Sequence, residues 1–406
     1  MAFLSLFFCA TICTALSPLH ALEDPPRAIY ALLVAGSNGF SNYRHQADVA
    51  HAYHVLVQHG VPADNIVTMM YDDVAFDPKN PNPGELRSTP EGPDYRKGMK
   101  VDYSTKADNL FIYYTDHGAY NLLGMPSGSP ITRSDLVAYI EHARGLGKFH
   151  KLSVYIEACE SGSMLATYEN DNFVGGLTAS NASEDSYACN CAKSICYADQ
   201  FSYKWMTNSE QNNLLDLAIS QQYTEVKNEV KSSTVQMFGS NTLTRDPVGY
   251  FQGTTIGSPA SLADESSPLP NAINIRDVPL LLLAMKVSEV EGTAEEAGIR
   301  AQLNSMVQKR ERFGELFEGL MELLRGDTQR TDSAAAEQQD KCYEALALHF
   351  DQHCFPLRNN PFAFGLLKRF RPLCVSGSQS IWSRIMERME RYCTGNPVVL
   401  QLQGVE

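Results

Sequence analysis

Four apolar runs of strand length constrain this chain more than any other feature: RAIYALLVAGS (27–37), NIVTMMYDD (65–73), NLFIYYTDHG (109–118) and KLSVYIEACESGS (151–163). Their apolar residues run on instead of alternating, which marks strands covered on both faces. Helical patterns lie between them. In RHQADVAHAYHVLVQHG (44–60), Ala47, Ala50, Tyr53, Leu56 and Val57 recur at helical spacing and Gly60 closes the run, and ITRSDLVAYIEHARGLG (131–147) reads as a second helix. Strand alternating with helix predicts an α/β fold with a mostly parallel sheet flanked by helices. Chemistry in such sheets gathers at the carboxyl ends of the strands. The stretches GSNGFSNYRH, TDHG and EACESGS should therefore converge in space.

The last of these holds a cysteine in an awkward place, with Glu157 two residues before Cys159 and Glu160 directly after it. Two carboxylates that close should raise the thiol pKa, so Cys159 is either an inert buried thiol or a nucleophile activated from elsewhere. His117 ends the neighbouring run. An imidazole there can take the thiol proton and return it to the leaving amine, and the backbone N–H groups of Gly118 and Cys159 can face a tetrahedral oxyanion. A satisfied histidine beside a buried thiol is the bland alternative.

The rest of the chain sets the context. FLSLFFCATICTAL (3–16) is an apolar run too short to span a bilayer, with small residues offering a cut after Ala21 or Ala15, so residues 1–21 read as a signal peptide. No later stretch reads as a membrane anchor. A Pro- and Ser-rich segment, GSPASLADESSPLPNA (257–272), reads as a surface linker. Beyond it, AQLNSMVQKRERFGELFEGLMELLRG (301–326) places Leu303, Met306, Val307, Phe313, Phe317, Leu320, Met321 and Leu324 on one helical stripe. The division read from this is a catalytic domain over 22–285, a linker and activation helix over 286–340, and a helical C-terminal domain over 341–406.

Cysteines fall in two groups. Cys342, Cys354, Cys374 and Cys393 imply two disulfides in an exported chain, with three connectivities open on spacing alone. Upstream stand Cys159, Cys189, Cys191 and Cys196; with Cys159 a free thiol, at least one more is unpaired. No nearby histidine or fourth cysteine supports zinc on C-x-C-x4-C, and no metal or cofactor is expected. The net charge of −14 sits at the front, where residues 1–290 hold 31 acidic against 19 basic residues. Nucleic acid is a poor partner for such a surface. Residues 341–406 reverse the balance with 8 basic and 5 acidic residues, so the tail is expected to dock electrostatically on the front.

Taken together, AGSNGFSNYRHQAD, MMYDD, YTDHG and YIEACESGSM resemble legumain, the asparaginyl endopeptidase family of caspase-like cysteine proteases. DSYAC (185–189), DVPL (277–280) and the four-cysteine tail extend the resemblance over most of the chain. It implies a secretory-pathway protease of lysosome, vacuole or gut lumen that cleaves after asparagine and, more weakly, ligates peptides. It also implies a zymogen held by its own C-terminal prodomain and activated in acid. Cys159 is then the nucleophile, His117 the base and Asn42 the group that orients the histidine, while Arg44, His45, Glu157, Ser186 and Asp199 match the S1 pocket. The implied disulfides are Cys342–Cys374 and Cys354–Cys393. Implied partners are proteins and peptides with asparagine at the cleaved position, the prodomain and cystatin-type inhibitors.

Two departures stand out. Asp185 occupies the place of a second pocket serine, and about thirty residues, including a helix, are missing between the second and third strands, which should leave one sheet face bare. Asn181-Ala182-Ser183 is the one glycosylation sequon, and Arg325-Gly326-Asp327 reads as a helix stop rather than an adhesion motif. Asn304 is the first asparagine beyond DVPL and the expected processing site. The competing readings are a lipid-anchor transamidase, which would need a membrane segment, and a catalytically impaired form, like a splice variant, acting as a binding or inhibitor protein.

Overall fold

The computed structural model describes residues 28–96, 109–255, 272–325, 335–375, 379–396, 398, 399 and 402. The leader, most of the 257–272 linker, and Gly326 and Asp327 lie outside the described residues. In chain order the strands are β1 (Ile29–Ala35), β2 (Ile66–Met69), β3 (Asn109–Thr115), β4 (Gly118–Ala119), β5 (Leu122–Leu123), β6 (Ile131–Thr132), β7 (Lys151–Glu157), β8 (Val174–Thr178), β9 (Tyr187–Ala192), β10 (Ile195–Asp199), β11 (Gln236–Phe238) and β12 (Ile273–Asn274). The main sheet runs β11-β8-β7-β3-β1-β2, parallel throughout except for β11 at one edge. A hairpin of β9 and β10 forms a second sheet with β12 on the free edge of β9.

Helix α1 (Tyr43–Gln58) lays Val49, Ala52, Tyr53, Val55 and Leu56 on Ala31, Leu33 and Phe111 of the sheet. It ends where Gly60 takes a φ of 88°, a left-handed conformation that glycine adopts without strain. Asn42 holds the N-cap position yet makes no cap bond, because its side chain is engaged elsewhere. Helix α2 (Arg133–Gly145), started by a Thr132/Asp135 capping box, lies over the other face.

Sequence reasoning missed β8 and β11. The Gly175-Gly176 pair weakens the strand signal of VGGLT, but a Cβ on Gly176 would stand 1.9 Å from the Val154 carbonyl oxygen, so β8 approaches β7 only because that side chain is absent. The expectation of a bare sheet face takes a milder form. Tyr30, Leu32, Val34, Val67, Leu110 and Ile112 share that face and are half-buried, while their alternating neighbours on β1 and β3 are buried. Among the described residues between β2 and β3 there is no helix longer than a turn.

The C-terminal part is helical: Val278–Glu289, Glu296–Arg325, Ala336–His353, Pro361–Leu367 and Gln379–Thr394. Its core joins Phe313, Phe317, Leu320 and Leu324 of the long helix to Leu346, Phe350, Phe370 and Ile385, and Ala119 and Leu122 of the catalytic part enter the same cluster. The stripe read from sequence is thus half used, since Leu303 and Met306 are only half-buried and Val307 is exposed. Disulfides join Cys342 to Cys374 and Cys354 to Cys393, and a third joins Cys191 to Cys196. Cys159 and Cys189 are free and buried. No described helix is long and apolar enough to cross a membrane.

Candidate active site

Register brings the expected residues together. Thr115 of β3 pairs with Glu157 of β7, so His117 and Cys159, each two residues further on, leave the sheet at the same edge. Gly118 is forced by this proximity: a Cβ there would sit 2.8 Å from the Cys159 carbonyl oxygen. Asn42 joins them from the entry to α1, with its Oδ1 2.9 Å from His117 Nε2. The Asn42 amide donates to the Asn38 carbonyl at 3.0 Å, which fixes the amide orientation and turns Oδ1 toward the imidazole. An accepting Oδ1 requires the proton on Nε2. The lone pair is therefore on Nδ1, which is buried and has no hydrogen-bond partner.

Burial, followed by the nearby His45, Arg44 and Arg276, pushes the His117 pKa well below that of a free imidazole despite Asp116 beside it. The ring is neutral and available as a base. Burial also pushes the Cys159 thiol up to about 12, with Asp185 adding to the rise and Arg276 and the Ser186 hydrogen bonds opposing it. The flanking Glu157 and Glu160 are not what raises it, contrary to the sequence reading. Cys159 Sγ accepts from the Ser186 backbone N–H at 3.2 Å, so in this conformation the thiol rests on Ser186 and not on the imidazole.

Near Cys159 lies a fully buried polar pocket. Arg44 Nε donates to Asp199 Oδ1 at 2.8 Å, Glu157 Oε2 accepts from the N–H and hydroxyl of Ser202 at 2.9 Å, and His45 Nδ1 meets the Ser37 hydroxyl at 2.6 Å and Asp116 at 3.2 Å. Arg44 Nη2, His45 Nε2, Glu157 Oε1 and Asp199 Oδ2 are left without hydrogen bonds, although His45 Nε2 and Asp199 Oδ2 face each other at 3.4 Å. Burial, then Asp199, pushes Glu157 up to about 8; burial and Arg44 push His45 down to about 3. Asp48, one helical turn beyond Arg44, joins the group, and burial with Asp199 and Glu157 holds its pKa well above the carboxylate range. The spacing of Arg44 and Asp48 was the available signal for it.

Known proteins resemble this chain over most of its length. The profile of the Peptidase C13 family matches residues 29–107 and 104–254, more than half the chain. The chain belongs to that family. Among relatives of this C13 peptidase, the hemoglobinase of Schistosoma japonicum is 33% identical over 380 residues, covering 86% of this chain and 89% of its own. The vacuolar-processing enzyme delta-isozyme of Arabidopsis thaliana is 31% identical, covering 80% and 82%, and legumain of Homo sapiens is 28% identical, covering 93% and 96%. This C13 peptidase is a legumain-family cysteine endopeptidase.

In the C13 peptidase a further segment closes the site, and sequence reasoning did not find it. β12 pairs antiparallel with Tyr187 and Ala188 of β9, and the Ile275 N–H continues the ladder to the Ser186 carbonyl at 3.2 Å. Ile275 and Val278 pack in one cluster with Cys159. Arg276 donates to the Gly118 carbonyl at 3.1 Å, pairs with Asp185 at 3.0 Å and reaches Glu160 at 3.9 Å. Asn274 donates to Asp185 at 2.7 Å. In this conformation Asp185 ties down this segment. Arg310 of the long helix holds the same segment from behind, on the Arg276 carbonyl at 2.5 Å and on Asp277 at 2.8 Å.

The tail docks by other means than its basic surplus. Asp340, the last residue of the linker, takes Arg133 and the Tyr120 hydroxyl of the catalytic part, each at 2.9 Å, and Asp351 of the tail takes the Ser129 hydroxyl at 2.8 Å. Arg371 is the basic contribution, stacked 3.9 Å over the Tyr120 ring. Asn181 is half-buried in a turn in which its Oδ1 accepts from the Ser183 N–H and hydroxyl. Asn304 is exposed, but its helix begins at Glu296, five residues before the sequence reading put it.

Proposed function

We propose that this endopeptidase cleaves on the carboxyl side of asparagine and is made as a zymogen, shut by its own chain and opened in acid in a lysosomal, vacuolar or extracellular compartment. The observation that carries the specificity is the set of four unsatisfied buried atoms near Cys159. A primary carboxamide offers an oxygen to Arg44 Nη2 and two N–H donors to Glu157 Oε1 and Asp199 Oδ2. Leaving such atoms unpaired costs about 1–3 kcal/mol each, and an asparagine side chain relieves several at once. An aspartate carboxylate has no N–H to offer Glu157 Oε1 or Asp199 Oδ2.

Catalysis then follows from the groups present. Sγ of Cys159 attacks the carbonyl carbon as its proton passes to His117 Nδ1. The oxyanion faces the Gly118 and Cys159 N–H groups. Collapse breaks the C–N bond, the amine leaves with the proton from His117, and water, deprotonated by the same imidazole, hydrolyses the thioester. In the closed form Ile275 and Arg276 lie over the nucleophile, which supports the zymogen reading.

The acid step has a sign that can be worked out. Burial raises the Asp185 pKa, but Arg276 and Asn274 outweigh it and hold the carboxyl below its ordinary value. Stabilisation from that pairing is present above about 4 and lost as pH falls through the lowered value. Glu160 has the opposite sign, since burial raises it. Release by this clamp therefore rests on Asp185. Acid-treated protein assayed on fluorogenic Ala-Ala-Asn, Ala-Ala-Gln and Ala-Ala-Asp substrates tests the whole reading: asparagine should exceed the others by at least tenfold, and equal rates would overturn it.

A further inference from the structure

Away from the catalytic site, the C-terminal unit carries a side-chain cluster that neither the peptidase chemistry nor the tail contacts use. His349 and His353 stand four residues apart on Ala336–His353, and Glu390 faces them from Gln379–Thr394. The ligating atoms of all three lie within 4.8 Å of one another. His349 Nε2 is 3.9 Å from Glu390 Oε2, His353 Nδ1 is 3.7 Å from Glu390 Oε1, and the two rings stack with centroids 4.2 Å apart. None of these distances is a hydrogen bond. His349 Nε2 is buried and has no hydrogen-bond partner, and the Met386 backbone lies beside the ring.

We propose that His349, His353 and Glu390 form a binding site for a divalent transition metal of the zinc class, joining the two helices at one end of the C-terminal unit. Each element of the cluster has the chemistry such an ion requires. A helical i,i+4 pair puts two imidazoles on one face. His349 Nε2 faces Glu390 without a hydrogen bond, the open nitrogen that a metal would take. Two neutral imidazoles and one carboxylate suit zinc and disfavour calcium or magnesium, which take oxygen ligands. Ligand atoms around tetrahedral zinc lie roughly 3.3 Å apart, from bonds of about 2.0–2.2 Å. The two separations to Glu390 need to close by about half an ångström and that between the two imidazole nitrogens, within 4.8 Å, by at most about 1.5 Å, which the half-exposed Glu390 and the exposed His353 permit.

The scaffold is already assembled. Cys354, directly after His353, is bonded to Cys393, three residues after Glu390, so a disulfide holds the two helices together at the level of the site. Three protein ligands leave a fourth position for water. Phe350 follows His349 where the zinc peptidase motif H-E-x-x-H has its glutamate, so the cluster lacks a general base and its role is binding, not hydrolysis.

The test uses the full chain without an affinity tag, carrying Cys159→Ala so that the active-site thiol takes no metal, stripped with chelator and titrated with zinc chloride by calorimetry at pH 7.5. We expect one equivalent bound at micromolar or tighter Kd and a raised midpoint of thermal unfolding. His353→Ala and Glu390→Gln should each weaken binding by tenfold or more and remove the thermal shift. Both side chains lie outside the hydrophobic core, so the variants should keep the circular dichroism of the parent. Binding only at millimolar zinc, or equal binding by His353→Ala, would overturn the proposal.

Discussion

Asn42 Oδ1 lies 2.9 Å from His117 Nε2, and that contact decides which imidazole nitrogen is free to take a proton. Replacing Asn42 with alanine frees the tautomer without touching substrate, so kcat should fall by about 10–100-fold with KM nearly unchanged. Asn42→Asp should instead raise the imidazole pKa and move the acid limb of the kcat/KM profile to higher pH. Steady-state kinetics across pH would separate the two. Cys159→Ala and His117→Ala, which remove the reacting groups themselves, should leave no turnover in a folded protein.

Weakening the Asp185–Arg276 pair should open the zymogen without acid. Asp185→Asn keeps the shape of the carboxyl but removes its charge, and full-length protein carrying it should show at least tenfold higher activity at neutral pH than the parent. Unchanged activity in an otherwise stable variant would mean that the segment is held by Ile275 and Val278 alone.

The pocket carboxyls make the catalytic part an acid-stable fold. Glu157, buried beside Asp199 and Asp48 and bonded to Ser202, has a pKa of about 8 in the folded chain against an ordinary value near 4.5. A raised pKa contributes stability that is present below the ordinary value and lost as pH rises through the folded one. Unfolding midpoints should therefore fall between pH 5 and 8, by the equivalent of a few kcal/mol. Glu157→Gln should flatten that slope, a change visible by scanning fluorimetry.

Asn304 lies in the third turn of its helix, where the following peptide bond has to unwind before it can enter a protease cleft. Self-cleavage between Asn304 and Ser305 should be slow, taking hours where an exposed loop would take minutes, and Asn304→Gln should abolish it. Sequencing the new C-terminus after acidification checks this directly.

The parallel strands were legible because covered strands are written as unbroken apolar runs, and Cys159 and His117 were legible because they end such runs. β8 was not, since its glycines serve a close backbone approach and carry no hydrophobic signal. Within the pocket, Asp48 shares a helix face with Arg44 and was open to discovery, whereas Ser202 reaches Glu157 only through the packing of a later helix. Arg276 left no local trace. Its partners, Gly118, Glu160 and Asp185, are 91 to 158 residues away in sequence, and charge counting predicted a different latch from the one the fold builds.

On the proposed zymogen reading, the seating of β12 on β9 makes this segment a tethered competitor. An attached strand meets its site at an effective concentration in the millimolar range, so a free peptide that pairs with the same edge at micromolar affinity still faces a strong rival. Ile275 and Val278 add about 2 kcal/mol of apolar burial each. A cut at Asn304 severs only the downstream attachment, and residues 272–304 stay joined to the catalytic part through the upstream chain. Losing the tail therefore turns a doubly anchored plug into a singly anchored one. Full activity then depends on how fast β12 peels from β9, and a second cut upstream of Ile273 would convert a reversible rival into a diffusible one.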